Sequence, residues 1–336
     1  MLVFQRPSSK RMAFCVGGFI VKVSRSISVK QVSEAFGINE NIDEFVDNSS
    51  WFYPIEKKNG DIRYIFIANN QLKAIQSWIL ENILEDVKIS DAANAYVSKK
   101  SIFTNAQCHV GYKGMIKLDI MNFFDAINRD DISKIFENLG FSKDVAMLFG
   151  KLCSNKNILN QGFSTSPMLS NIFFYKYDKL IEKILNEKYG KNTFVYTRYS
   201  DDITISTSKT FTFDDLMKLS SEIENLLLPK FKINKMKKKI ILGKYPAKVT
   251  GINVFKEYMS VSKKIRRRIK REIHYCEKFG VSGHLKYVGE YNRQNFFGYL
   301  RGTAHFIGNT DKKLALKLLE RIDMLEFRDR VTQKKL

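Results

Sequence analysis

Two stretches of this 336-residue chain place acids where local structure gives them no evident reason to be. "GMIKLDI" is a short apolar run that reads as a buried strand, and it ends at Asp119. "TFVYTRYSDDITIST" reads as two β-rich arms joined at Ser200-Asp201-Asp202, a hairpin with adjacent aspartates at its tip. If the strands are neighbours, the three carboxylates converge and raise one another's pKa. A hard divalent cation resolves that repulsion, because Mg²⁺ takes carboxylate and phosphate oxygens alike. Two such ions about 4 Å apart suit nucleotidyl transfer: they activate a hydroxyl and neutralise departing pyrophosphate. Taken alone, adjacent acids in a turn are more often simply solvated.

The elements that must position these acids are partly legible. "RYIFIAN" alternates like a strand, and Leu72, Ile75, Ile79 and Ile83 fall on one helical face. Residues 131–150 read as helix. Ser166-Pro167 reads as a helix start, an N-cap followed by proline in the first turn, with Leu169, Ile172, Phe173 and Leu180 continuing it. Residues 1–50 read as a partly helical lead-in. The last eighty or so residues are rich in helix formers and charge, as in "KKIRRRIKREIHY" (Lys263 to Tyr275). Strands and helices mixed in this way predict an α+β core followed by a helical, basic domain.

Lys and Arg number 56 against 35 Asp and Glu, a net charge of +21. That field attracts a polyanion, nucleic acid being the commonest, although lysines scattered by compositional bias would give the same sum. Cys15, Cys108, Cys153 and Cys276 are far apart with no C-x-x-C pair, so neither a disulfide framework nor a zinc ribbon is expected and a reducing cytoplasm fits. "RMAFCVGGFIVKV" (Arg11 to Val23) is a weak signal-peptide candidate, cut by glycines and Lys22, and no stretch is long enough for a membrane span.

Around the acids the chain resembles a reverse transcriptase, with several motifs in order. "LDIMNFFDAI" is similar to the first palm motif, which implies Asp119 and the Ile120 carbonyl as metal ligands. "YTRYSDDITIS" is similar to the Y-x-D-D hairpin, which implies Asp201 and Asp202 as the other catalytic, metal-binding carboxylates. "QGFSTSPMLSNIFF" resembles the loop and helix under the template–primer, and "INKMKKKIILG" the lysine-bearing motif. The resemblance implies a nucleotide site: Arg63 on the triphosphate, Phe124 as a steric gate against the ribose 2′-OH, Gln161 and Gly162 against the incoming nucleotide, and Lys237 on pyrophosphate. Core packing is the alternative for Phe124, a solvated strand edge for Arg63, and Lys238 or Lys239 compete with Lys237.

"NAQCH" and "VTG" resemble two hallmarks of retron reverse transcriptases, implying RNA-binding regions at Asn105 and His109, where a structural element is the alternative, and at Val249, Thr250 and Gly251. The cluster Lys263, Lys264, Arg266, Arg267, Arg268, Lys270 and Arg271 stands where the family has its thumb and is expected to contact RNA. The resemblance thus implies a right-hand polymerase: an N-terminal extension over 1–50, interleaved fingers and palm over 51–255, and a helical basic thumb over 256–336. It implies two Mg²⁺ ions (Mn²⁺ as substitute), deoxynucleoside triphosphates, a structured noncoding RNA as template and primer, an RNA–DNA hybrid and a separate effector protein. The expected activity is copying part of that RNA into branched multicopy single-stranded DNA, in antiphage defence. No nuclease domain is expected after the thumb, unlike most group II intron maturases. A non-retron defence-associated or group II-like reverse transcriptase is the alternative, and a non-catalytic RNA scaffold a remoter one. Three residues depart from the family pattern: Asn160 for proline, Phe163 for a small residue, and Ser200 for alanine.

Overall fold

Local signals set the element boundaries in the computed structural model, which describes residues 14–16, 19–21, 25–56, 60, 62–243, 245–291 and 293–333, the first six by backbone only. Strands β1 (Phe14–Val16) and β2 (Phe19–Val21) pair antiparallel; apart from this backbone, the signal-peptide candidate lies outside the described residues. Helix α1 (Val29–Phe36) opens with a Ser28–Gln31 capping box and stops at left-handed Gly37. After α2 (Ile42–Asn48), strands β3 (Ser50–Glu56) and β4 (Ile62–Ala68) form an antiparallel ribbon. Helix α3 (Asn70–Ile79) runs on into a π-helical turn over Leu80–Leu84, and Leu72, Ile75, Ile79 and Ile83 are all buried.

Helix α4 (Ile102–Gln107) precedes β5 (Gly114–Asp119), the expected buried strand. The helix expected over 131–150 is two helices, α5 (Arg129–Asn138) and α6 (Lys143–Leu152), because Gly140 turns left-handed and Ser142 caps the second. Helix α7 (Ser166–Tyr189) has Thr165, not Ser166, at its N-cap, with no side-chain cap bond; Pro167 sits in its first turn as expected. Strands β6 (Val195–Tyr199) and β7 (Asp202–Thr207) are joined by the two residues Ser200 and Asp201. Then come α8 (Phe213–Leu227), β8 (Lys239–Leu242), β9 (Ala247–Val249), β10 (Ile252–Val254), β11 (Met259–Ser260), and helices α9 (Lys263–Phe279), α10 (Val281–Tyr287), α11 (Phe296–Gly308) and α12 (Lys312–Gln333). Four strands make one sheet in the order β6-β7-β5-β8, and β11-β10-β9 make another. The fold is α+β, and none of the described helices is long and apolar enough to cross a membrane.

The chain divides into two compact units, neither contiguous in sequence. One comprises Met1–Ser98, Ile116–Ile205 and Phe213–Ile240; the other comprises Lys99–Met115, Ser206–Thr212 and Ile241–Leu336. Residues 241–255, read from sequence with the palm, therefore group with the C-terminal helices. The first unit is built on aromatic packing: Phe123, Phe174 and Phe231 meet with ring centroids 5.2 to 5.6 Å apart. The second has an aliphatic core in which Val249, Ile252, Ile269, Ile273, Leu300 and Ile322 are buried together.

One loop of the first unit is docked with little tolerance. The Phe66 N–H donates to the Gln161 carbonyl at 2.7 Å, and Phe163 packs edge-on against Phe66 at 6.2 Å. Asn160, buried, accepts through Oδ1 from the Asn155 N–H. Two departures from the family pattern are thus buried packing positions. Gly162 sits at φ +113°, and a Cβ there would lie 2.0 Å from the Phe66 carbonyl oxygen. The close approach this glycine allows is to β4, where the sequence suggested a nucleotide. Gly162→Ala is expected to lose roughly 2–3 kcal/mol of stability, read as a lower urea midpoint, through both strain and overlap; an unchanged midpoint would refute the docking.

Candidate active site

The acids are brought together by backbone bonds. Asp119 ends β5, and the next residue, Ile120, donates its N–H to the Asp201 carbonyl at 3.0 Å. On the other side the Asn234 N–H donates to the Asp119 carbonyl at 2.8 Å, and Ile120 pairs with Ile233 as a β-bridge. A contact between residues far apart in sequence thus places the Ser200-Asp201 turn against the end of β5. Asp119, Ile120, Asp201 and Asp202 line one cleft of about 1010 Å³, together with Arg63, Phe124, Gln161, Gly162 and Lys237. Every residue proposed from sequence for metal or nucleotide is on its wall.

Electrostatics in the cleft are crowded. Burial, and then the charge of Asp202, push the Asp201 carboxyl up to about 6. Burial also raises Asp202, opposed chiefly by the Lys117 ammonium. Lys117 is itself lowered by burial, with Asp202 and Asp119 pulling the other way. Lys237 donates to Asp119 Oδ2 at 2.8 Å, a bond that raises its pKa. Of the three lysines that compete in "KMKKK", Lys238 is taken by Glu224 and Lys239 is not on the cleft wall, while Lys237 lines the cleft and meets Asp119. Among the described residues no three acidic, histidine or cysteine side chains are arranged so as to hold a metal ion. The donor set still suits a hard divalent cation: three anionic oxygen donors, two of them held against their own repulsion.

The other wall is aromatic. Phe124 is buried, edge-on to Phe123 at 5.6 Å and to Tyr96 at 6.4 Å. In the ribbon, β3 and β4 present Phe52, Tyr64 and Phe66 from one face to the cleft. Arg63 is exposed at the cleft edge and pairs with no acid among the described residues.

Sequence reasoning missed what holds the acidic turn. Arg198 is fully buried: Nε and Nη2 donate to the two oxygens of Asp178 on α7, at 3.0 and 2.8 Å. Its Nη1 donates to Asn171 Oδ1 at 3.1 Å and to the Ser200 carbonyl at 3.3 Å. Burial alone would weaken the guanidinium's charge, but Asp178 outweighs it and raises the pKa. Ser200 stands at φ +59° with its hydroxyl accepting from the Tyr96 hydroxyl at 3.3 Å, so it faces an aromatic ring rather than solvent. The available signal was an arginine inside an apolar strand and an aspartate inside an apolar helix, each needing a buried partner.

In the second unit the two retron-like motifs meet. Thr250 and Gly251, both at positive φ, form the two-residue turn between paired Val249 and Ile252, the geometry of a type I′ hairpin. The Thr250 hydroxyl donates to the Ile102 carbonyl at 3.0 Å, and Asn105 Nδ2 reaches it at 3.5 Å. His109 Nδ1 lies 2.7 Å from Ser206 Oγ. Asn105, His109 and Val249 are at most 1% exposed, Asn105 reaching the Thr250 side chain and His109 reaching Ser206, while Thr250 is half-buried and Gly251 exposed. In α9, Ile269, Ile273 and Cys276 face the core, and Lys263, Lys264, Arg267, Arg268, Lys270 and Arg271 are exposed, with Arg266 half-buried.

Comparison with known proteins follows the same lines. The family model for reverse transcriptase (RNA-dependent DNA polymerase) matches residues 55–254. The retron Ec86 reverse transcriptase of Escherichia coli is 28% identical over 279 residues, spanning 82% of this chain and 80% of the relative. The retron Mx162 reverse transcriptase of Myxococcus xanthus is 30% identical over 192 residues, 52% of this chain and 38% of the relative. Among solved structures, a telomerase from Candida albicans aligns at TM-score 0.46 and 11% identity, covering 83% of this chain and 63% of that one.

The raised Asp201 pKa gives a sign-determined test. Its folded value of about 6 exceeds the ordinary 3.8, so this group favours folding below pH 4 and opposes it increasingly as pH rises through 6. Asp201→Asn removes the charge. With chelator present it should raise stability by about 1–3 kcal/mol at pH 7.5, an increment that vanishes by about pH 4. Urea unfolding at the two pH values reads this; a less stable variant at pH 7.5 would contradict the crowding.

Proposed function

We propose, from the premise that this chain belongs to the reverse transcriptase family and is of the retron type, that it copies part of a cognate structured noncoding RNA into a branched, multicopy single-stranded DNA. The chain is an RNA-directed DNA polymerase. The observation that carries the reading of its site is the backbone bond from Ile120 to Asp201, which brings Asp119, Asp201 and Asp202 to one cleft. These carboxylates and the Ile120 carbonyl would hold two Mg²⁺ ions, which would supply Lewis-acid charge to the attacking hydroxyl and the phosphates.

The remaining roles fall to side chains of the cleft. Phe124 stands at the sugar, where its ring excludes a 2′-OH. Arg63, exposed and with no acid partner among the described residues, receives the triphosphate as a fork of donors. Lys237 shifts its ammonium from Asp119 toward the departing pyrophosphate. Gln161 and Gly162, fixed on β4, floor the nucleotide site. The exposed basic face of α9 and the Thr250-Gly251 turn contact the RNA, and their attraction weakens with salt. The setting we propose is cytoplasmic antiphage defence with a separate effector protein.

The test is DNA extracted from cells expressing the gene with its upstream flank, run on a denaturing gel with and without RNase. A discrete short DNA whose migration changes on RNase treatment is expected. Its absence, with polymerase activity retained on a generic primed template, would favour a non-retron reverse transcriptase. Asp201→Asn is expected to abolish synthesis while RNA affinity stays within about twofold, since the phosphate contacts lie elsewhere; undiminished synthesis would overturn the metal assignment.

A further inference from the structure

Phe124 is held between two rings of different standing. Phe123, on one side, belongs to the packed cluster with Phe174 and Phe231 and cannot move independently. Tyr96, on the other side, is 50% exposed on the cleft wall. Its backbone stands at φ +62°, a conformation that costs a tyrosine free energy and persists only where neighbours over-determine it.

Those neighbours can be named. The Asn94 N–H donates to the Arg198 carbonyl at 2.7 Å, and the Arg198 N–H donates to the Ala92 carbonyl at 2.8 Å. Asn171 Nδ2 donates to the Ala95 carbonyl at 2.9 Å. The segment leading to Tyr96 is therefore bolted to β6 and α7, the two elements that also hold the acidic turn. At its far end the Tyr96 hydroxyl donates to Ser200 Oγ at 3.3 Å, a partner that alanine at this position would not provide.

A gate that rejects one oxygen atom must hold its ring to within about 0.5 Å. We infer that Tyr96 is a specificity-positioning residue: its ring backs Phe124, and its hydroxyl ties that backing to Ser200, so that the sugar gate and the catalytic turn keep one register. The inference rests on the reading of Phe124 as the gate.

The experiment compares incorporation of dGTP and GTP on a primed heteropolymeric RNA template, and reads the ratio of the two kcat/KM values. Tyr96→Gly deletes the ring and suits the left-handed backbone, so folding is spared that strain. Its ratio is expected to fall about tenfold, the scale on which a shape-based pocket discriminates a single added group. Tyr96→Phe keeps the ring and loses the tie, and should fall between Tyr96→Gly and the parent. A merely structural role would lower both efficiencies together and leave the ratio unchanged, which would overturn the inference. Phe124→Ala separates the two readings. If it lowers the ratio and Tyr96→Gly does not, the gate stands and the role of Tyr96 fails; if Phe124→Ala leaves the ratio intact, the gate reading itself fails.

Discussion

The buried ion pair between Arg198 and Asp178 is the interaction on which the acidic turn depends. A guanidinium with no exposure is stable only where acceptors replace water, and here both oxygens of Asp178, Asn171 Oδ1 and the Ser200 carbonyl take four of its five N–H groups. Removing one partner of such a pair costs roughly 3–5 kcal/mol, because a charge is left buried and unpaired. The pair therefore locks β6 to α7 in one arrangement. Through the Ser200 carbonyl it reaches the backbone of the turn that carries Asp201, and through Asn171 it reaches the segment that presents Tyr96. Phe174 lies against the guanidinium at 4.5 Å, joining the network to the aromatic core.

On this rigid support the site stores repulsion. Two carboxylates raised by burial, with a third beside them, are opposed among the described residues by two ammonium groups, Lys117 and Lys237. The arrangement costs stability, and a cation bound among the three carboxylates, as proposed, would relieve it. It is a local conflict of the kind expected at a working site, where charge is arranged for a ligand rather than for the fold.

The acids, the strand that ends at Asp119, the hairpin and the long helix α7 were legible from periodicity and turn chemistry. So was the split of charge on α9, since Ile269 and Ile273 recur at helical spacing among the basic residues. Other features were not legible, and the reason is the same each time: the partner lies far away in sequence. Nothing local says that Gly162 exists for the carbonyl of Phe66, or that Thr250 in its turn is steadied from Ile102 and Asn105. The burial of Asn105 and His109 was hidden for the same reason, because polar residues on a short helix and in the turn after it read as surface until Thr250 and Ser206 are seen beside them. The break at Gly140 is different: it was local, and the apolar spacing on either side masked it.

The central claim is that Asp119, Asp201 and Asp202 form the reacting face of one nucleotide site with Phe124 at its sugar end. A crystal structure of the protein with a primed RNA template, a non-reacting deoxynucleoside triphosphate and Ca²⁺ tests this most directly. The account predicts cations bridging the three carboxylates and the phosphates, with the sugar against Phe124 and the triphosphate within reach of Arg63. A triphosphate bound elsewhere, with the three carboxylates touching neither cation nor phosphate, would contradict it.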